Sequence, residues 1–198
     1  MDLGHKGKTV IISGGSKGIG AGISEVFAQE GANLVINYHR NREACLEFAG
    51  YLSEHYGIRT AAVQGDVGKE EDVAAIFDCA IQNFGQVDIL VNNAGRGVSK
   101  KFTDITLEDW NQCLNDNLTG QFLMSREFAR RVIPAKRRGW IVNILSKASC
   151  TSTTKGRVCY VCNKSGETGL THSLAVDLTE YGIHVNGVMP GFVMANTL

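Results

Sequence analysis

The feature that most limits the fold is a strict alternation of short apolar runs with single helical stretches. Six runs have the continuous apolar character of strands covered on both faces. They are Thr9–Ile12, Asn33–Tyr38, Thr60–Gln64, Val87–Asn92, Trp140–Leu145 and His184–Met189. Apolar residues recur at helical spacing from Gly18 to about Gln29, from Glu43 to Tyr56 and from Glu70 to Phe84. Gly31, Gly57 and Gly85 stand where these helices stop. A long helix is expected from Thr106, capped with Asp109 three residues on, to about Arg131. A last one runs from Val158 to about Glu180, closed by Gly182. Strands joined by one helix each lie parallel, because only a crossover returns the chain to the same sheet edge. The expected architecture is α/β: a doubly wound parallel sheet in three α/β/α layers with six recognisable strands.

Composition narrows the function. The 198 residues carry 20 basic and 20 acidic side chains, so the chain lacks the basic excess that nucleic-acid binding needs. No apolar run approaches the ~20 residues of a membrane span. Met1 to Lys8 has no apolar signal core, which points to a cytoplasmic protein. There are 23 glycines and only 2 prolines, a balance that suits tight turns and close backbone approaches rather than linkers. One domain is expected over residues 1–198. The six cysteines, Cys45, Cys79, Cys113, Cys150, Cys159 and Cys162, include one short pair. A zinc site would need a second pair, so no metal is expected.

The first strand runs into Ser13-Gly14-Gly15-Ser16-Lys17-Gly18-Ile19-Gly20, which opens the first helix. Glycines there let the backbone approach a pyrophosphate, whose charge sits at the helix N-terminus. In an alternating chain this is the mark of a Rossmann-like dinucleotide site, although the glycine spacing departs from GxGxxG. The end of the second strand selects the cofactor. An acid there would hold a ribose hydroxyl and favour NAD. The residues present are Tyr38, His39, Arg40, Asn41 and Arg42, with no acid. Lys17 and Arg40 suit a 2′-phosphate, so NADP(H) is expected in preference to NAD(H).

From about Lys8 to Gly191 the sequence resembles the short-chain dehydrogenase/reductase family, and most resembles its 3-oxoacyl-[acyl-carrier-protein] reductase type. The likeness rests on seven motifs in order: the Gly14–Gly20 loop, Asp66-Val67, Asn92-Asn93-Ala94-Gly95, Asn117, Ser146, Tyr160 with Lys164 in a YxxxK pattern, and Pro190-Gly191. The resemblance implies that Asp66 and Val67 contact the adenine. It implies that Asn93, Ala94 and Gly95 line the cofactor, joined by Pro190, Gly191 and Val193 after the sixth strand. It implies a catalytic set of Asn117, Ser146, Tyr160 and Lys164, and a homodimer or homotetramer packed through the helices that start near Thr106 and Val158.

The chemistry suits those residues. Hydride transfer to a carbonyl leaves an alkoxide that needs a proton. A tyrosine supplies one if a nearby cation stabilises its phenolate. Tyr160 and Lys164 are four apart, on one helix face. By the resemblance, Lys164 also holds the nicotinamide ribose, Ser146 orients the substrate oxygen, and Asn117 anchors a water near Lys164. The leading reading is thus an NADPH-dependent oxidoreductase interconverting a small-molecule carbonyl and a secondary alcohol. A non-catalytic nucleotide-binding subunit or regulator is the alternative, and an extended-type epimerase or dehydratase a third.

Three departures from the family pattern stand out. Relatives continue beyond the sixth strand through a substrate-covering segment and a further strand, which this chain is expected to lack. Ala195 stands where relatives often have a threonine bonded to the nicotinamide carboxamide, and Thr197 is two residues on. The segment between Ser146 and Tyr160 is one residue longer than expected and holds Lys147, Lys155 and Arg157. With Arg96, these residues suggest a substrate bearing an acidic group or an acyl carrier.

Overall fold

The computed structural model describes residues 3–151 and 155–194, so Ala195 and Thr197 lie outside the described residues. Six parallel strands form one sheet: β1 (Thr9–Ile12), β2 (Asn33–Tyr38), β3 (Thr60–Gln64), β4 (Ile89–Asn92), β5 (Gly139–Ile144) and β6 (Ile183–Val188). Their order is β3-β2-β1-β4-β5-β6. The direction of winding reverses between β1 and β4, where the register pairs Ile11 with Leu90. In such sheets the crevice at the carboxyl ends of the strands around that reversal is where ligands bind.

The strands sort their side chains by alternation. Ile11, Val35, Leu90, Ile141 and Val185 face one layer, with Phe77, Met124 and Phe128 packed over them. That layer is α3 (Glu70–Phe84), α5 (Gly120–Val132) and α6 (Val158–Asp177). Val10, Ile12, Leu34, Ile36 and Val91 face the other, formed by α1 (Gly18–Gln29) and α2 (Arg42–Tyr56). The three-layer sandwich read from the sequence is therefore present.

Helix ends are locally specified. Asn41 caps α2 by accepting from the Ala44 amide at 3.2 Å, and Gly57 ends it in the left-handed conformation at φ 66°. Thr106 and Asp109 form a reciprocal capping box at the start of α4 (Leu107–Leu114).

The expected single helix from Thr106 to Arg131 is not continuous. A π-helical turn over Asn115–Thr119 separates α4 from α5. The extra residue in that turn swings Asn117 inward, and it is 1% exposed. The last expected helix also ends early: α6 stops at Asp177 and a 3₁₀ turn over Thr179–Tyr181 leads into Gly182.

A buried polar chain ties the layers together near the site. The Asn92 Nδ2 donates to Asn143 Oδ1 at 2.9 Å and to Ser125 Oγ at 3.0 Å. The Asn143 Nδ2 donates to Thr171 Oγ1 at 2.9 Å, and Thr171 donates onward to the Glu167 carbonyl at 2.7 Å. Buried amides held in this way fix α5 and α6 against β4 and β5.

Candidate active site and cofactor cradle

The glycine turn follows β1 directly. Gly14 and Gly18 have φ of 60° and 54°, a region that favours glycine. Gly20 is needed for a different reason: a Cβ there would fall 2.5 Å from Asn93 Nδ2 and nearer still to the Gly14 carbonyl. The turn is pinned from the β4 side. Ser13 Oγ accepts from the Asn93 and Ala94 amides, both at 2.9 Å. Asn93 Nδ2 donates to the Ser13 and Gly14 carbonyls at 2.9 and 3.1 Å. From the β2 side, Asn37 Oδ1 accepts from the Gly14 amide at 3.3 Å. Asn93 and Ala94 thus brace the turn with the groups that the resemblance would aim at a cofactor.

Helix α1 starts at Gly18 with no side-chain cap on its first amides among the described residues and no acid in its first turn. A braced, close-packed glycine turn beneath a helix start with uncapped amides fits the pyrophosphate of a dinucleotide. Burial pushes the Cys45 thiol up to about 11, and the neighbouring Ser16 opposes the rise. Lys17 and Arg40 are exposed, and neither meets a carboxylate among the described residues. Arg40 borders a cleft of about 540 Å³ at the ends of β2 and β3, with Asp66 on its wall. The Tyr38 side chain is buried in the core below α2 rather than in that cleft. Val67 is also buried, in the α3–α5 layer, where a Cβ at Gly120 would lie 2.6 Å from its Cγ2.

Three of the expected catalytic residues, Asn117, Lys164 and Tyr160, converge on one glycine corner. A Cβ at Gly95 would lie 2.5 Å from Asn117 Oδ1 and 4.0 Å from Lys164 Nζ. A Cβ at Gly97 would lie 3.2 Å from the Tyr160 ring. Asn117 Nδ2 donates to the Arg96 and Cys113 carbonyls at 2.8 and 2.7 Å. Its Oδ1 is buried with no partner among the described residues. An unpaired buried acceptor is costly unless something supplies a proton donor.

Lys164 is buried and its Nζ donates to the Ile144 carbonyl at 2.9 Å, two residues before Ser146. Ser146 caps a short 3₁₀ turn, its Oγ accepting from the Ala148 amide at 3.1 Å. The hydroxyl proton of Ser146 is not used in that bond. The Lys147 amide donates to the Pro190 carbonyl at 3.0 Å, which joins the segment after β6 to the end of β5. Gly191 and Val193 follow it, exposed.

Two features of this corner escaped the sequence reading. Glu167 lies 2.7 Å from Lys164 Nζ and is 2% exposed. Burial pushes its carboxyl above the ordinary glutamate range, and the neighbouring ammonium pulls it back. The signal was in the sequence: Tyr160, Lys164 and Glu167 repeat at helical spacing, and an acid at that place is on the same face. The second is the stack of Arg157, read from the sequence only as a basic loop residue, on Tyr160: its guanidinium carbon lies 4.7 Å from the ring centroid.

Arg96 was expected to greet an acidic substrate. It forms an ion pair with Asp116, and Gln112 holds the same carboxylate at 2.6 Å. Cys159 and Cys162, the one short cysteine pair, divide between a buried and an exposed position, and all six cysteines are free.

Comparison with known proteins places the chain in a family. Residues 8–198 match the family model for short chain dehydrogenase. A 3beta-hydroxysteroid dehydrogenase from Eggerthella lenta is 39% identical over 186 residues, covering 94% of this chain and 70% of that protein. A 3-oxoacyl-[acyl-carrier-protein] reductase from Aquifex aeolicus is 35% identical over 98% of this chain and 77% of its own length. The crystal structure of a short chain dehydrogenase from Burkholderia cenocepacia in complex with NADP superimposes with a TM-score of 0.91 at 33% identity. It covers 97% of this chain, which spans 77% of it. The chain belongs to the short-chain dehydrogenase/reductase family. It is an oxidoreductase of that family, whose enzymes bind a nicotinamide cofactor and act on small molecules. Among the described residues no helix is long and apolar enough to cross a membrane.

Proposed function

We propose that the chain is an NADPH-dependent carbonyl reductase, able to run in reverse on a secondary alcohol, with Tyr160 as its general acid and base. The observation that supports this best is the corner at Gly95 and Gly97, where Asn117 Oδ1, Lys164 Nζ and the Tyr160 ring come together beside the braced glycine turn. Gly14, Ser16, Gly18, Ile19 and Gly20 would hold the pyrophosphate. Lys17 and Arg40 would take the 2′-phosphate, Asp66 and Val67 the adenine, and Gly95, Pro190, Gly191 and Val193 the nicotinamide end. When bound, the nicotinamide supplies the hydride for the carbonyl carbon.

The chain's own part is proton chemistry and orientation. Ser146, whose hydroxyl proton has no acceptor among the described residues, donates to the carbonyl oxygen and fixes it. Tyr160 gives that oxygen the proton that completes the alcohol. Lys164, held by the Ile144 carbonyl, stabilises the phenolate left behind. Asn117 Oδ1 accepts from a water that returns the proton. An acidic group on the substrate would meet Lys147 and Lys155, both exposed on the segment between Ser146 and Tyr160.

The reading includes a cytoplasmic homodimer or homotetramer in which residues 1–198 act as one cofactor-binding and catalytic domain. Leu107, Phe122 and Val176, apolar side chains exposed on α4, α5 and α6, support the subunit contact. Sedimentation velocity tests it, and a monomer at micromolar concentration speaks against it.

Turnover of NADPH with a panel of small ketones tests the catalytic assignment. Tyr160→Phe is expected to lose about 10²- to 10⁴-fold in turnover while keeping NADPH affinity. Equal turnover by wild type and variant would remove Tyr160 from the chemistry.

A further inference from the structure

The charges around Tyr160 do not balance as a lysine-tyrosine pair alone would have them. Lys164 Nζ lies 5.9 Å from the ring centroid. Its charge is matched at 2.7 Å by Glu167, and the two side chains are 8% and 3% exposed. A close, buried pair of opposite charges acts on its surroundings as a dipole, with a field weaker than that of a free cation. Two other ion pairs stand nearby and are likewise internally matched. Arg96 on the segment after β4 pairs with Asp116 in the π turn. Lys100 pairs with Asp109 of α4. Ser146, at the end of β5, is uncharged, and the buried thiols of Cys113 and Cys159 are held toward the neutral form by burial. Lys147 is exposed to solvent.

Arg157 is different. It is half-buried at the start of α6, and no carboxylate reaches it among the described residues. Its guanidinium lies over the Tyr160 ring at 4.7 Å, nearer than the Lys164 ammonium. The stack has a place built for it. At Gly97 a Cβ would stand 3.2 Å from the Tyr160 ring and 3.6 Å from Arg157 Nη1, so the missing side chain leaves room for both. A guanidinium is flat, weakly hydrated and charged at every accessible pH, which suits it to this position.

We infer that Arg157 is a positioning residue of the reaction: stacked on Tyr160, it supplies the uncompensated positive charge that favours the phenolate, while Glu167 offsets the charge of Lys164. The inference rests on the reading of Tyr160 as acid and base. It divides between two residues what the YxxxK pattern assigns to the lysine alone. It also gives Glu167 a definite sign: removing its charge strengthens Lys164, and removing Arg157 weakens the field on the ring.

The test is a titration of tyrosinate absorbance in the cofactor-free protein, read beside the pH profile of alcohol oxidation. The component missing from Tyr160→Phe identifies the residue. In Arg157→Gln that component and the rise of oxidation with pH are expected to move upward together by roughly 0.5–1.5 pH units. Arg157→Lys returns both most of the way. Glu167→Gln moves both downward. Circular dichroism confirms that each variant is folded, and Arg157→Met, with the same upward shift expected, carries the test if the glutamine variant is not. An Arg157→Gln component that titrates where the wild type does overturns the inference, whatever happens to KM. Shifts in the same direction for Arg157→Gln and Glu167→Gln overturn it too. Turnover that survives Tyr160→Phe overturns instead the reading beneath it, and the absorbance titration, which needs no turnover, keeps the two failures apart.

Discussion

At Gly20 the backbone of one turn, the side chain of Asn93 and the start of α1 occupy the space that a β-carbon would need. Gly20→Ala is expected to destabilise the fold by about 1–3 kcal/mol through overpacking, and to weaken NADPH binding because the Gly14 turn must move. Gly22, two residues further along the same helix, has nothing within 4 Å of its Cβ position. Gly22→Ala should therefore stabilise by roughly 0.5–1 kcal/mol, and denaturant melts of the two variants check the contrast. The difference could not be read from the residue names. What made the loop legible was its place after the first strand, and what made Tyr160 and Lys164 legible was a spacing of four on one helix. Arg157 carried no such sign. Its stack on Tyr160 depends on Gly97, 60 residues earlier, and contacts at that separation have no local pattern. The ion pair of Arg96 was hidden for a related reason, since its partner Asp116 sits in a turn whose π geometry the sequence did not announce.

That turn shows what an element conceals. Residues from Thr106 to Arg131 keep a helical rhythm throughout, so one inserted residue at Asn115–Thr119 leaves the pattern almost unchanged while it redirects Asn117. The start of α4 was legible because a capping box is a local motif. Thr106 Oγ1 accepts from the Asp109 amide at 3.1 Å, and Asp109 accepts in turn from the Thr106 amide at 3.0 Å. Thr106→Ala should cost about 1 kcal/mol in a denaturant melt. Asp109 also receives Lys100, and these bonds hold its carboxyl down to about 2, against an ordinary value of 3.8. A depressed folded value means that the unfolded chain takes up the proton first. The stabilisation is complete above the ordinary carboxylate range and is lost as pH falls from about 4 toward 2. Melts across that window should show a shallower acid loss in Asp109→Asn, and parallel curves would mean that the box contributes nothing.

Across the whole molecule the alternation of strands and helices was enough to fix parallel pairing and three layers. It did not by itself fix the order β3-β2-β1-β4-β5-β6, because a doubly wound sheet can reverse at other strands. The order depends on non-local packing, and the centre of that packing is visible at Phe128. Its ring is fully buried between Phe77, 6.5 Å away, and Gly139, where a Cβ would stand 2.7 Å from Cε1. Phe128→Ala should cost about 3–5 kcal/mol, measured by equilibrium unfolding, because the rigid sheet beneath cannot close the cavity. A cost below about 1 kcal/mol would place the weight of the core elsewhere.

If the chain works as proposed, the glycine turn and the Tyr160 corner form one cofactor site. The most direct test is a fluorescence titration of the purified chain with NADPH, with NADH in parallel. Saturable NADPH binding is predicted, with weaker NADH binding, and Lys17→Ala combined with Arg40→Ala should narrow the gap by about 10-fold or more. Absence of binding by either nucleotide would contradict the account, leaving a fold of this family without the site that its residues outline.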